Sequence, residues 1–194
     1  MNISSDKVHL ADAQQTQFLD RNGIENILGP TLVDWHKQAP FQEIILLNGP
    51  GGFTNLRVGT LVLNLLNKLL GEQKCKIYTI TKFELFSYLY KKWFLPQYSV
   101  VYIGQRDNVR LYDAEQKTYE QIKIDTIKKD NNLAFDCVYS DYWWDNASQM
   151  LHFHMTEKWL EIQRNKKSTI VNVTDLWLQA QSQVAPEYMI EAIN

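Results

Sequence analysis

A glycine-rich segment at residues 49–54 is the stretch of this sequence whose residue types and spacing could do chemistry. It follows the apolar residues 43–47, which are typical of a buried strand, and it precedes a leucine-rich run with helical spacing. Thr54 is the expected N-cap of that helix, and Gly71 is expected just past its C-terminus. A strand, a glycine loop and a helix in this order can bind an anion, because free N–H groups at the helix N-terminus point toward it.

The same segment has a second interpretation, in which the glycines only turn the chain from strand to helix. It lacks the Gly-Lys-Ser/Thr ending of a phosphate-binding P-loop, and Thr54 stands where the dinucleotide fingerprint has its third glycine. The loop also has few polar groups to hold a triphosphate. The sequence therefore predicts weak ATP binding or none, and nucleotide binding stays open as the alternative.

Other residues that could do chemistry are scattered along the chain. His152 and His154 would share one face of a strand, but the sequence places no third metal ligand near them. A serine nucleophile elbow, a zinc-protease helix motif and paired-cysteine zinc motifs are missing. Four acidic residues could still meet in space, namely Asp107, Asp113, Asp136 and Asp141. From these patterns we predict no catalytic residue and no metal ligand.

The helix after the glycine loop carries more leucine than one sheet can cover. Its apolar side chains fill roughly 220° of the circumference, whereas packing on one sheet needs about 100°. One apolar face contains Val58, Leu61, Leu65 and Leu69, and the other contains Gly59, Leu63, Leu66 and Leu70. Either another helix of the chain or a second protein must cover the excess. A glycine inside a helix is costly and suits the close approach of another backbone, so we assign the Gly59 face to a partner.

A second helix, predicted over residues 82–93 and capped by Thr81, has an aromatic face. Such a face indicates helix packing, and we add Phe86, Tyr90 and Trp93 to the predicted partner interface. The aromatic residues 139–145 are interpreted as either a recognition loop or a packed boundary. Further strands are expected at residues 7–11, 76–80, 99–103, 109–112, 119–124, 134–138 and 168–173, and further helices at residues 25–37, 156–165 and 174–183.

Residues 49–59, Gly-Pro-Gly-Gly-Phe-Thr-Asn-Leu-Arg-Val-Gly, resemble the Gly-Pro-Gly-Ser-Phe-Thr-Gly-Leu-Arg-Ile-Gly signature of the TsaB family. Residues 25–30, 100–112 and 186–188 resemble other family segments in the same order along the chain. The opening strand and Asp-Thr/Ser turn of the wider actin-like ATPase group are not recognisable. The chain is thus similar to a shortened, divergent member of the family.

The resemblance implies an α/β fold with a mixed β-sheet and flanking helices, a trimmed actin-like ATPase or RNase H-like fold. We expect an N-terminal lobe over residues 1–98 and a smaller C-terminal lobe over residues 99–194. The signature loop comprises Gly49, Pro50, Gly51, Gly52, Phe53, Thr54 and Arg57.

TsaB proteins are the bacterial partner subunit for making threonylcarbamoyladenosine in tRNA. The resemblance therefore implies a non-catalytic subunit that binds and activates a TsaD-like catalytic subunit acting at position 37 of tRNA. A TsaE-like ATPase and tRNA would join the same complex, and ATP and metal would belong to the partners. Two alternatives stay open: a small actin-like ATPase or carbamoyl-type transferase with its own nucleotide site, and a stand-alone homodimeric scaffold pairing through the same helices.

The 194 residues have the composition of a globular protein, with 45% hydrophobic residues, 22% charged residues and a formal net charge of -2. This charge predicts weak tRNA binding by the chain alone, with Arg106 and Arg110 adding to a partner's surface. The sequence shows no membrane-spanning run and no signal peptide, so we expect a cytoplasmic protein. Cys75 and Cys137 form no disulfide or metal pattern and are expected to be reduced.

Overall fold

Three helices and twelve strands are seen in the computed structural model of the chain, which describes residues 1–71, 75–105, 108–127, 133–136, 152–156, 159–164, 167–173, 175–176, 179–181 and 183–188. The helices are α1 (Ile24–Gln38), α2 (Phe53–Leu69) and α3 (Lys82–Lys91). The strands are β1 (Val8–Ala11), β2 (Thr16–Leu19), β3 (Glu43–Leu47), β4 (Lys76–Ile80), β5 (Tyr98–Tyr102), β6 (Asn108–Asp113), β7 (Thr118–Lys123), β8 (Leu133–Phe135), β9 (His152–Thr156), β10 (Trp159–Arg164), β11 (Lys167–Asn172) and β12 (Gln179–Gln181).

Asn2 joins two groups of strands into one mixed sheet. On one side lie β1 and β2, which are antiparallel, and on the other lie β3 and β4, which are parallel, with β12 antiparallel to β4. The Asn2 backbone pairs with His9 on the first side and with Leu47 on the second. This opening segment could not be predicted, because three residues are too few to show an alternating pattern.

Two further sheets complete the α/β architecture. One has the strand order β7-β6-β5-β8, in which only the pairing of β5 with β8 is parallel, and the other has the antiparallel order β11-β10-β9. The predicted fold class, an α/β protein with mixed sheets and helices, is confirmed.

The helix predicted over residues 156–165 is wrong, because residues 159–164 form the central strand β10. Leu160 and Ile162 are buried, and Glu161 between them is only partly covered, which is the alternation of a strand paired on both edges. The predicted helix at residues 174–183 is also wrong where it overlaps β12, and β2 was not predicted at all. The other predicted strands and helices lie within a few residues of the observed ones.

The helices divide between separate hydrophobic clusters. Helix α1 packs on α2, where Gly29 faces Val62, and both helices belong to the cluster that contains Ile3 and Leu46. Helix α3 belongs to another cluster, in which Phe86 packs with residues of the later strands. Of the two possibilities that the sequence left open, another helix of the chain therefore covers part of the surplus apolar surface of α2, and that helix is α1.

The two faces of α2 are the reverse of the prediction. Gly59, Leu63 and Leu66 are buried inside the chain, and a Cβ atom at Gly59 would lie 2.5 Å from Ile3 Cγ2. The glycine therefore permits close contact with the chain's own N-terminal segment. The opposite face is exposed: Leu61, Leu65 and Leu69 have 56%, 49% and 80% of their surface in solvent.

The predicted partner interface fails for its buried members. The hydrophobic clusters of this chain bury four of its members almost completely, namely Gly59, Leu63, Leu66 and Phe86. These residues are therefore not available to a partner. Leu70 and Tyr90 are half-buried against the same cores, and Trp93 alone of the predicted set is widely exposed. The assignment rested on a general cost of helical glycine, which does not tell an internal neighbour from an external one.

The helix ends agree with the sequence at Thr81 and Gly71 and differ from it at Thr54. Thr81 and Glu84 form a capping box at the start of α3, and Gly71 follows α2 with φ of 58°. Helix α1 runs through Pro30. The N-cap of α2 is Gly52 instead of Thr54, so the first turn begins inside the glycine loop.

A matched pair of substitutions on α2 tests the faces. Leu63→Glu places a charge at a fully buried site, and we expect it to unfold the chain or to lower the free energy of unfolding by more than about 3 kcal/mol. Leu61→Glu alters an exposed site and should change the free energy of unfolding by less than about 0.5 kcal/mol. Urea unfolding of both variants measures this, and the opposite order would contradict the assignment.

Candidate functional site at the carboxyl ends of the strands

The carboxyl ends of four strands meet at the glycine loop. Asn48 follows β3 and donates its N–H to Ile80 O, the last carbonyl of β4, at 2.9 Å. Lys82 begins α3 and donates its N–H to Gly49 O at 2.6 Å. Asp136 directly follows β8 beside the end of β5. Open α/β sheets bind ligands at the carboxyl ends of their strands, so this junction is the candidate site.

The side chain of Lys82 lies in the centre of the junction and is fully buried. Its ammonium group donates to Ser4 O at 2.9 Å, to Tyr102 O at 3.4 Å and to a carboxylate oxygen of Asp136. An ammonium has three hydrogens to donate, and the three acceptors use all of them. The lysine therefore connects the N-terminal segment, the end of β5 and the residue after β8.

Asp136 is as deeply buried as its partner. The oxygen that binds the ammonium also accepts the Tyr102 N–H at 3.2 Å. The Tyr102 ring lies 5.5 Å from Lys82 Nζ, within the range of a cation–π contact. Burial, followed by the negative charge of Asp6, raises the pKa of Tyr102 to about 12, so its hydroxyl keeps its proton at neutral pH.

The glycines of the loop allow backbone segments to touch. A Cβ atom at Gly51 would overlap the Ser4 carbonyl group, and a Cβ at Gly104 would lie 2.5 Å from Gly51 O. At Gly49, which has φ of 120°, it would lie 2.5 Å from Glu187 O. Three other segments of the chain, at Ser4, Gly104 and Glu187, therefore contact the loop backbone at distances that only glycine permits.

The outer rim of the loop carries the remaining signature residues. Phe53 is largely exposed and stacks on Tyr188 with ring centroids 5.0 Å apart. Thr54 Oγ1 accepts a hydrogen bond from Arg21 Nη2 at 3.3 Å. Arg57 is exposed, and Pro50 is buried within the loop.

This arrangement can hold segments together but has little capacity for phosphate chemistry. The lysine is bonded to three protein acceptors, and the inner side of the loop is filled by Ser4 and Gly104. A separate cavity beside Asn2 and Leu47 has a volume of about 30 Å³, room for one water molecule and not for a nucleotide. Of the two interpretations of the glycine loop, the geometry favours a structural turn.

The fold brings together segments that carry the family resemblance. The glycine loop contacts Glu187 of residues 186–188 and Gly104 of residues 100–112. Residues 25–30 lie in α1, which packs on the signature helix. Asn64 of that helix also exchanges hydrogen bonds of 2.8 and 2.9 Å with the Val184 backbone.

Several predicted functional residues have other roles or lie elsewhere. Arg110 is fully buried and bonded to Gln121, so its predicted contribution to a tRNA-binding surface is wrong. Asp113 accepts hydrogen bonds from Gln97 and from two backbone N–H groups of the turn after β6. Cys75 is buried as a free thiol, as expected. Residues 106, 107, 137 and 139–145 lie outside the described residues.

His152 and His154 lie on strand β9, which was considered from the sequence but not predicted. Within the described residues, no group of three or more His, Cys, Asp or Glu side chains is arranged to hold a metal ion. None of the helices that the structure describes is both long and apolar enough to cross a membrane.

Sequence reasoning missed Ser4, Lys82 and Tyr102 as members of the site and named Asp136 only among scattered acids. A signal was available at Lys82, because a lysine at the first position of a helix after a buried strand departs from the acidic preference there. Its partners lie 78, 20 and 54 residues away, and no local pattern shows such separations.

Comparisons with known proteins give similarity at the level of structure only. No family model matches the chain, and no curated protein matches it. The solved structure of YeaZ from Pseudomonas aeruginosa is similar over 80% of this chain and 80% of its own, with 13% identity and a TM-score of 0.41. An uncharacterized protein with similarity to peptidase YEAZ from Pseudomonas aeruginosa is similar over 70% and 72%, with 13% identity and a TM-score of 0.40. YeaZ is a TsaB protein, the family that the sequence motifs resemble.

The buried ion pair should behave as a coupled unit. Lys82→Met leaves the Asp136 charge buried without its cation, and we expect it to lower the free energy of unfolding by about 3–5 kcal/mol. The double variant Lys82→Met/Asp136→Leu removes both charges and should be less destabilised than the sum of the single changes. Urea unfolding of Lys82→Met, of Asp136→Leu and of the double variant measures the coupling. Additive effects would show that the pair does not act as a unit.

The filled loop predicts that the isolated chain binds ATP weakly or not at all. Titration calorimetry with magnesium-ATP should give no dissociation constant below about 10 μM, which corresponds to roughly -7 kcal/mol. A tighter constant would support the alternative of an ATPase with its own site.

Proposed function

We propose that this chain is a non-catalytic, TsaB-like partner subunit of the complex that installs threonylcarbamoyladenosine at position 37 of tRNA. In this proposal it binds and activates a TsaD-like catalytic subunit in the cytoplasm. A TsaE-like ATPase and tRNA join the same assembly, and the partners carry ATP and metal.

The exposed leucine stripe of α2 is the observation that carries the proposal. Leu61, Leu65 and Leu69 follow one another at four-residue spacing on the helix that begins with the signature. Burying leucine side chains contributes about 1.5–3 kcal/mol each, so a helix from a partner would find a favourable surface here. The sequence resemblance supplies the identity of that partner, since TsaB-like chains pair through this helix.

The closed junction at the glycine loop supports the non-catalytic part of the proposal. In an enzyme of this architecture, the carboxyl ends of the strands would have to stay open to substrate. Here the Lys82 side chain and the Ser4 backbone occupy that position. A stand-alone homodimer would use the same leucine stripe and is therefore a competing outcome of the experiment below.

Leu65→Glu should abolish association with a TsaD-like subunit without unfolding the chain. The residue has 49% of its surface exposed, so the fold tolerates the charge, whereas a buried interface would not. Ile170→Glu is a matched control, because Ile170 is also an exposed apolar residue but lies on β11. The measurement is co-purification of each variant with the TsaD-like protein of the native cell, with circular dichroism to verify folding.

If the Leu65→Glu variant still binds the TsaD-like subunit, the leucine stripe is not part of the interface. Failure of the unmodified chain to capture that subunit, together with a dimer that Leu65→Glu converts to monomers, would favour the homodimeric scaffold.

A further inference from the structure

Trp93 is exposed to 90% in a backbone conformation that disfavours side chains. Its φ is 63°, in the left-handed region that favours glycine. The Trp93 N–H donates to Tyr90 O at 2.9 Å, and the Phe94 N–H donates to Leu89 O at 3.0 Å. These two bonds form a Schellman ending of α3, in which Trp93 takes the place where glycine is usual.

The choice of tryptophan at this position brings two local disadvantages. Glycine would adopt the backbone angle without strain, and a polar residue would avoid exposing a large apolar ring. Packing within the described residues compensates for neither disadvantage, because the indole projects into solvent. Residues that break local rules in this way are concentrated at functional surfaces.

The surface around Trp93 is small and lies beside two lysines, one of which is paired with an acid. Phe94 adds a partly exposed ring, and Leu95 is already buried, so the apolar area amounts to roughly 300 Å². A protein interface of ordinary size buries about 800 Å² on each partner, so the patch is too small for one on its own. Lys91 and Lys92 are both exposed immediately before the rings, and Lys92 is also paired with Asp175.

The charges next to Trp93 indicate which planar ligand could stack on the indole. An exposed indole attracts cations through its ring face, but the neighbouring Lys91 repels them, whereas the charge of Lys92 is balanced by Asp175. The complementary ligand is a planar group that carries negative charge nearby, which describes a nucleobase with its phosphates. Stacking of bases on aromatic side chains with basic residues alongside is the usual mode of single-strand binding.

We propose that Trp93 and Phe94 form a stacking platform for an unpaired base of RNA, with Lys91 facing the adjacent phosphate. The inference extends the proposed function, in which tRNA is the RNA present in the assembly. The bonds that end α3 fix the backbone at Trp93, so the ring projects into solvent from a fixed point of the chain. One platform gives weak binding, in keeping with the net charge of -2.

Binding of a fluorescent single-stranded RNA of about 12 nucleotides to the full chain at low salt tests the platform, because stacking one base changes affinity by roughly 5- to 100-fold. Trp93→Ala should weaken binding by that factor, and Trp93→Phe should retain most of it. Ile170→Ala is the matched control, because it truncates another exposed apolar side chain, on β11, and should leave the affinity within about twofold.

Trp93→Gly separates function from stability. It relieves the left-handed strain and should raise the melting temperature, while it weakens RNA binding as much as Trp93→Ala does. Lys117, with φ of 58°, offers the comparison: Lys117→Gly should also raise the melting temperature but leave the RNA affinity within about twofold.

Two results would overturn the platform. One is the absence of RNA binding by the unmodified chain at low salt. The other is unchanged RNA affinity in Trp93→Ala, and loss of binding to anionic phospholipid vesicles in that variant would then identify a membrane surface as the ligand. Co-purification with the TsaD-like subunit is read separately. If RNA binding fails while that association persists, only the platform is lost; if the association fails while the stacking effect stands, the proposed function is lost instead.

Discussion

The three hydrogen bonds of the Lys82 ammonium are the interaction on which the arrangement of the strands depends. Ser4, Tyr102 and Asp136 come from distant parts of the chain, and each supplies one acceptor. Burying both charges of the pair is unfavourable unless every donor and acceptor is satisfied, so the segments must be placed together or not at all. The pair lies where open α/β sheets receive ligands, and its presence there means that the protein itself fills the position.

The glycines beside this pair show that a loop resembling a phosphate-binding motif can serve another purpose. A phosphate loop uses glycine because the ligand must come close to the backbone. At Gly49, Gly51 and Gly104 the approaching group is another stretch of the same chain. The steric requirement is equal in both cases, so the same glycine pattern can occur in a loop that is closed. The identity of the approaching group, and not the glycine pattern, separates the two functions.

Much of the fold could be predicted because its signals are local. The capping box at Thr81, the apolar run of β3 and the leucine-rich helix each fall within one element. The errors have a shared cause, which is that burial depends on partners far away in sequence. The sequence of β10 alone suggests a helix, and only its pairing with β9 and β11 shows that it is a strand. The two faces of α2 are equally apolar in sequence, and only the contact of Ile3 with Gly59 shows which one is buried. The same separation hid the site around Lys82.

The contacts of the glycine loop with residues 184–188 have a consequence for the order of folding. Asn48 Nδ2 donates to Ala185 O across 137 residues, and Asn64 is bonded to Val184 across 120. During synthesis, the loop and the start of α2 therefore emerge long before the segment that completes them. Loop closure over such distances is slow, and the unpaired surface stays open to other chains meanwhile. Ribosome-bound chains that lack residues 184–188 are thus the species for which chaperone protection would matter most.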